Sequence, residues 1–570
     1  MIHMVSEEIK KDIWIFALDN AVQFKGKASQ GAVVGKLFAK DPSLKKEMKS
    51  IAPEIGKIIA EINSMEPDDQ KAKLKELVPD IDEKKKEEKK ERKKSARELP
   101  PLKDAEDGKI VTRMAPGPSK YPHIGHAISF GINHIYAKSY NGRCIMRIDD
   151  TNPEVDSKEF VDSMHDGITR YLGMTPDEIC YASDNMDKLY EHAENLIKEG
   201  KAYACDSSPE EMSEQRRNMR PSPRRDSSVK ENLEIWEGMK RGENESFALR
   251  LKIDMTHKNA VMRDPVVFRV IQSKHYRQGD KYKAWPTYDF ESTVIDGILG
   301  ITHVLRSNEF DSRIELHNHI SSILGYDEVN YRHYGRVNIT GSLTQGREIR
   351  KNIESGDFIG WDDPRLVTLK ALERRGIVKD SIVNIVKMAG LSKQNTNIDF
   401  SVIASENRKI LDQEAKRFFM LKDPVSIRIE GAPEQEIELN THPVKKEGGR
   451  RFNTGEAFMI EKKDLDKIED GKLIRLMDCL NFKKEGEKFV FYSKDYMDYK
   501  KDGEMIIHWL PDNGSNEEAT IVMGDSSEIR CIVEKSISHI SPGDIIQFER
   551  FGFCRLDSKE DAYKFWFSHE

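Results

Sequence analysis

The sequence predicts a multidomain protein: a small helical domain, an α/β parallel-sheet domain, a helical connector and an all-β tail. Three observations carry that expectation. The chain has 570 residues, too many for a single hydrophobic core. Between Lys109 and Asp150 a strand-like run, a Pro/Gly-rich loop, a helix-like run and a second strand-like run follow one another, a βαβ unit that requires parallel strands. Beyond about residue 416 the texture changes to short alternating runs such as VSIRIEG, KFVFYS and ATIVMG, with Gly, Pro and Asn at the breaks.

Taken in order, residues 1–83 place apolar side chains at helical spacing (Ile9, Ile13, Phe16; then Val33, Val34, Leu37), with breaks near Gly26 and Pro53. Residues 84–95, KKKEEKKERKKS, are almost all charged and read as the core of a solvated linker over 84–104. Glu87, Glu88 and Glu91 dilute its positive charge and weigh against a basic arm for nucleic acid. The parallel-sheet domain is expected at 105–348, interrupted at about 187–285 by a less regular stretch that contains PSPRR. Residues 349–410 are expected to be helical, and 411–570 to form one or two small β-barrels.

Composition removes several classes. No run of about 18 apolar residues is present, so no membrane span is expected, and the first residues lack the layout of a secretory signal. The six cysteines are scattered without a C-x-x-C pair, which weighs against disulfides and structural zinc and fits a reducing cytoplasm. A net charge of −7 argues against coating nucleic acid by bulk charge. It leaves room for a localised basic track, because phosphate contacts act one by one.

The chemistry is carried by Pro122-His123-Ile124-Gly125-His126, where a strand gives way to a helix at the carboxyl edge of a parallel sheet. A helix N-terminus offers unpaired N–H groups and partial positive charge to phosphate. Two imidazoles three residues apart can donate to phosphate oxygens, and Gly125 lets a flat base approach the backbone. No further ligands at suitable spacing complete a metal site. An isolated H-x-x-H would more readily be a surface pair or a helix cap.

This one is not isolated. TRMAPGPSKYPHIGHA (112–127) resembles the HIGH region of class I aminoacyl-tRNA synthetases, in the form used by the glutamyl/glutaminyl subclass. MRIDDTNPE (146–154), NAVMRDPVVFR (259–269), PTYDF (286–290), GITHVLRSNEF (300–310) and GWDDPRL (360–366) resemble it in the same order. So do KDPVSIRIEGAP (422–433) and GDIIQFERFGFCRLD (543–557) in the tail. The N-terminal helices resemble, more weakly, the appended domain of the archaeal branch. The resemblance implies a Rossmann-type catalytic domain with an acceptor-binding insertion, and an anticodon-binding tail. It implies glutamate activation with ATP and Mg²⁺ and transfer to tRNA(Glu), in a monomeric cytoplasmic enzyme. Charging of tRNA(Gln) stays open, as do three alternatives: a glutamine–tRNA ligase, opposed by Arg306; a truncated-type enzyme that modifies a tRNA base, opposed by the long β-rich tail; and a catalytically weak tRNA-binding protein.

The same resemblance implies roles. His123 and His126 would stabilise the ATP phosphates, with Pro116, Gly125 and Glu309 also toward ATP. Arg113 and Tyr288 would hold the amino acid. Asp149 would meet its ammonium group, or else simply pair with Arg147. Arg306 would face the substrate side chain, where glutaminyl enzymes carry cysteine; the alternative is a structural pair with Glu309 or Asp311. A guanidinium there selects a carboxylate over an amide. The chain departs from the family at the second signature, a lysine-rich loop expected just before GWDDP. Residues 341–348 read GSLTQGRE, with no lysine before Lys351, which leaves Arg347 as the expected cation. Leu391-Ser392-Lys393 comes after GWDDP, out of order, and is set aside. In the insertion, Arg216, Arg217, Arg220, Arg224 and Arg225 suit gripping the acceptor end, or form a solvated charged face.

Overall fold

A computed structural model describes residues 6–23, 26–41, 44, 48–79, 81, 99–560 and 562–570. The charged run 84–95 lies outside them. The chain divides after residue 98 into two compact units.

The first unit contains the helices Glu7–Gln23, Gln30–Lys40, Met48–Asn63 and Pro67–Leu77. Ile13, Leu18, Val33, Ile55, Ile62 and Leu74 face one another in its core. Gln70 is fully buried, and its Nε2 donates to the carbonyls of Gly26 and Ile62. A polar side chain survives there because it pairs backbone groups that would otherwise be orphaned.

The second unit is built on a parallel sheet. Strands β1 (Val111–Met114), β2 (Arg143–Ile148) and β3 (Glu178–Tyr181) pair in that order, all parallel. The helix Ile124–Ser139 makes the crossover from β1 to β2. A second parallel pair, His303–Ser307 with Asn330–Tyr334, is stitched to the other side of β1. There Thr302 N–H donates to Val111 O at 3.0 Å, and Val111 N–H donates to Thr302 Oγ1 at 2.9 Å. Strands covered on both faces are expected to be near-continuously apolar. Cys144-Ile145-Met146 obeys this, but Arg113 and Arg147 are buried in the same layer, so each needs a charged partner.

The stretch that reads as irregular in sequence is an ordered four-stranded antiparallel sheet, Ala202–Cys205, Ala248–Leu251, Val266–Val270 and Ala284–Pro286. Trp236, Phe268, Trp285 and Phe290 fill its core. Strands of three to five residues with long connections carry too few alternations to be recognised by period. The helices that follow, among them Lys379–Ala389, pack against Ile124–Ser139. The contact is close: a Cβ on Gly131 would lie 2.8 Å from Val386. The tail forms two seven-stranded sheets and a hairpin of Gln435–Asn440 with Gly449–Thr454. Arg375 fastens it to the helical region by donating to the carbonyls of Phe567 and Ser568.

Asn133 positions the crossover helix. It is 1 % exposed, and its Nδ2 donates at 2.9 Å to both Ser129 O and Leu305 O, while Thr112 Oγ1 donates to Asn133 O. One side chain thereby ties the helix to a strand on the far side of β1. Asn133→Leu is expected to destabilise the protein by about 1–3 kcal/mol, the cost of losing buried hydrogen bonds. In urea unfolding the midpoint should fall with the slope unchanged; a midpoint equal to wild type would show that the tie is not needed.

Candidate active site

The loop leaving β1 is held from outside its own βαβ unit. The Tyr121 ring stacks on Trp361, centroids 5.2 Å apart, and its hydroxyl donates to Glu159. Leu369 N–H donates to Pro122 O at 2.8 Å and Ile124 N–H to Val367 O at 3.1 Å. GWDDPRL and the residues after it are therefore a clamp on the loop.

His123 is the N-cap of the helix and His126 its third residue, so the first imidazole precedes the helix instead of sharing its face. The rings are still only 4.0 Å apart. His123 Nδ1 accepts from Gly125 N–H at 3.0 Å, and His126 Nδ1 accepts from His123 N–H at 3.1 Å. An accepting Nδ1 puts the proton of a neutral ring on Nε2. Capping and ligand binding are thus compatible: the cap uses Nδ1 and leaves an Nε2–H donor on each ring. Both rings stay neutral. Burial, then His126, pushes His123 well below its ordinary value, and burial, then the Lys120 charge, takes His126 down to about 3. Gly125 is required by this cap, since a Cβ there would lie 2.8 Å from the His123 ring.

Beside the cap lies a cavity of about 470 Å³. Arg113, His123, Gly125, His126, Tyr288, Arg306 and Glu309 all line it, which brings together seven of the ten expected site residues. Pro116, Asp149 and Arg347 do not. Pro116 is buried, and its carbonyl accepts from Asp149 N–H at 2.9 Å. The Asp149 carboxylate is taken by Arg147, in two bonds of 2.5 and 3.0 Å. Arg347 is exposed on the helix Gly346–Glu354, and its segment reaches the cavity through Thr344 and Gln345.

The charges are divided unequally. Arg113 Nε and Arg147 Nη1 both donate to Asp296 Oδ1, at 3.0 and 2.6 Å. Burial pushes the Asp296 carboxyl up, but the charges of Arg113 and Arg147 outweigh it and hold the group below the usual carboxylate range. Arg306 has no such partner. It is 5 % exposed; Nη1 donates to Tyr288 Oη at 2.9 Å and Nε to His333 Nε2 at 3.0 Å. Nη2 has no hydrogen-bond partner among the described residues. The structural pair with Glu309 or Asp311 does not form. Asp311 faces His333 Nδ1 at 2.5 Å, while Glu309 accepts from Ser307 Oγ and lies 3.7 Å from Arg336.

Lys120 and Arg336 also line the cavity, and His333 orients Arg306; sequence reasoning singles out none of them. Lys120 stands inside the string that carries the resemblance, three residues before His123, but nothing in that pattern marks its charge. Arg336 and His333 belong to no motif, and only folding brings them to the site.

Residues 109–413 match the family described as class I tRNA synthetases (E and Q), catalytic domain. Residues 415–491 and 506–557 match two anticodon-binding domains of the same class. The chain belongs to this family. Curated relatives extend the likeness through the N-terminal helices. The glutamate–tRNA ligase of Pyrococcus abyssi is 39% identical over 565 residues, covering 97% of this chain and 98% of that one. That of Pyrococcus furiosus is 38% identical over 568 residues, covering 97% and 98%. That of Methanocaldococcus jannaschii is 35% identical over 568 residues, covering 98% and 100%. The parallel sheet is thus the catalytic domain of a class I synthetase, and the β-rich tail its anticodon-binding region.

The neutral histidines make a prediction about pH. A His126 ring held to about 3 in the fold but titrating near 6.5 when unfolded binds its proton preferentially in the unfolded state. Its contribution to stability is therefore lost as pH falls from about 6.5 toward 3. His126→Asn removes that titration and should show a smaller drop in urea midpoint between pH 7.5 and 4.5 than wild type. An equal or larger drop would mean that His126 is not held neutral.

Proposed function

We propose that the chain is a glutamate–tRNA ligase that activates L-glutamate with ATP and passes the glutamyl group to the terminal ribose of tRNA(Glu). The observation that carries the substrate is Arg306: a buried guanidinium in the cavity wall with one amino group unpaired. A side-chain carboxylate would complete it, whereas the amide of glutamine would leave the buried charge without its counterpart. The curated relatives named glutamate–tRNA ligase, matched from end to end, support the same reading.

The reaction needs no side-chain nucleophile. The glutamate α-carboxylate attacks the α-phosphate of ATP, pyrophosphate leaves, and a tRNA ribose hydroxyl then attacks the resulting mixed anhydride. The protein's part is positioning and stabilisation of phosphate charge. The two Nε2–H groups supply donors to the phosphates, while the first-turn amides are already engaged, Ile124 N–H by Val367 O and Gly125 N–H by His123 Nδ1. Tyr288, whose oxygen accepts from Arg306, keeps its hydroxyl proton for the amino acid. Glu309 is the one carboxylate among the described residues that line the cavity, and it already faces Arg336. That suits Mg²⁺ arriving on the ATP phosphates, with Glu309 as the side chain placed to meet it, better than an ion held by the protein alone. Arg113, its charge already met by Asp296, serves the amino acid as a directional donor.

For tRNA, the arginines of the insertion separate into two groups. Arg224 is paired with Asp206 and Glu231, and Arg225 with Asp264. Arg216, Arg217 and Arg220 are exposed, and the first two line a second cavity of about 600 Å³. We assign the grip on the acceptor end to these three.

Arg306→Cys is expected to lower kcat/KM for glutamate by at least about thirtyfold, the low end of the roughly 2–5 kcal/mol that follows loss of one partner from a buried charge pair. Its preference for glutamate over glutamine should shrink. A kcat/KM within threefold of wild type would remove Arg306 from substrate recognition. Aminoacylation of tRNA(Glu) and tRNA(Gln) with each amino acid tests the whole assignment: glutamate on tRNA(Glu) is the required product, and glutamine in its place would make the chain a glutamine–tRNA ligase.

A further inference from the structure

Resting on the ligase reading, we propose that Lys120, in the loop before the helix, supplies the phosphate-facing positive charge that residues 341–348 lack. The segment where a lysine-rich loop is expected contains Thr344, Gln345 and Gly346, and its nearest cation, Arg347, is exposed and is not among the residues that line the cavity. Lys120 lines the same cavity as His123, His126, Thr344 and Gln345. Its Nζ donates to Thr344 O at 3.1 Å, so the ammonium lies against the backbone of the segment itself.

Packing makes the placement specific. A Cβ on Gly346 would lie 3.0 Å from Lys120 Cβ and 3.3 Å from its Cδ, so the glycine lets the segment close down on the aliphatic stem. The loop below is fixed by the stacking of Tyr121 on Trp361. A long flexible side chain is thereby confined at both ends, which lowers the entropy lost when its head group meets a ligand. The position is also electrically live. Lys120 is among the charges that hold both histidines neutral, and its own value is lowered by burial first and by Arg336 second. Three like-charged or donor groups, Lys120, Arg336 and the histidine pair, converge with a single carboxylate, Glu309, in between. Such a surplus of donors suits a polyanion. Its ammonium is a compact point charge of the kind that the missing lysines would have provided. One bond to a neutral carbonyl leaves two of its three donors for phosphate oxygens.

The role is to stabilise charge on the phosphates as the α-phosphate accepts the glutamate carboxylate and pyrophosphate departs. It should therefore act on activation and not on transfer to tRNA. Lys120→Met keeps the apolar stem against Gly346 and removes only the charge. In the full-length protein, glutamate-dependent exchange of pyrophosphate into ATP should fall at least tenfold in kcat, with KM for glutamate within threefold. Glutamyl transfer from preformed adenylate to tRNA should stay within twofold, and the urea midpoint should be unchanged. Adding Gln345→Lys to Lys120→Met returns a lysine to the same spot from the other loop and should recover at least threefold of the loss. Exchange within twofold of wild type in Lys120→Met would overturn the proposal, as would equal losses in exchange and transfer, or a double variant no faster than the single one. With tRNA(Glu) present in every exchange assay, a wild-type protein without glutamate-dependent exchange would instead bring down the ligase reading itself.

Discussion

Asp296 is the group on which the arrangement of the site depends. It lies on the helix Tyr288–Ile298, and one of its oxygens accepts from Arg113 on β1 and from Arg147 on β2. Two guanidiniums side by side in a fully buried layer would repel each other and resist burial. A shared carboxylate removes that conflict and locks the helix to both strands. Asp149 neutralises the remaining charge on Arg147. With these carboxylates engaged, the one buried guanidinium of the cavity left without an acid is Arg306, two strands from Arg147. The free donor on Arg306 thus follows from where the protein places its own acids as much as from where it places its arginine.

A second dependence is mechanical. Three segments distant in sequence meet at the helix cap: residues 119–126, the segment 341–346, and 361–369. The last is a brace, through Trp361 on Tyr121 and the backbone bonds to Pro122 and Ile124. Because the loop is braced, the cap can hold two imidazoles in a single tautomer each, with Nδ1 committed to the backbone and Nε2 presented outward. Preorganisation of this kind lets neutral donors contribute to catalysis without rearranging as charge develops.

Much of this was legible in the sequence wherever the information is local. A strand, a Pro/Gly-rich loop and a helix opening on H-I-G-H point to a site at a strand end, and the resemblance of T-H-V-L-R to the family motif singles out Arg306, which lines the cavity. Asp149 was less legible. It stands next to the strand that carries Arg147, two residues away, and either a free or a paired carboxylate fits that spacing; the structure pairs it in two bonds to Arg147. Arg347 satisfied the order of motifs, yet position along a chain does not say which face of a helix a side chain occupies, and this one faces solvent. The insertion looked irregular because its strands are too short to show a period.

By itself the sequence determined the succession of helical, parallel-sheet and β-rich regions and the helix-cap motif, while Arg306 was singled out through the resemblance to the family. The first two rest on propensity, on period and on residue chemistry, which act over a few neighbouring positions. Only the tertiary structure decided which charges cancel and which remain. Asp296 reaches Arg113 across 183 positions, and Lys120 reaches Thr344 across 224. Whether a buried charge is paired depends on distances of about 3 Å between groups that share no local pattern, and such distances exist only once the sheet, its crossover helix and the brace have packed together.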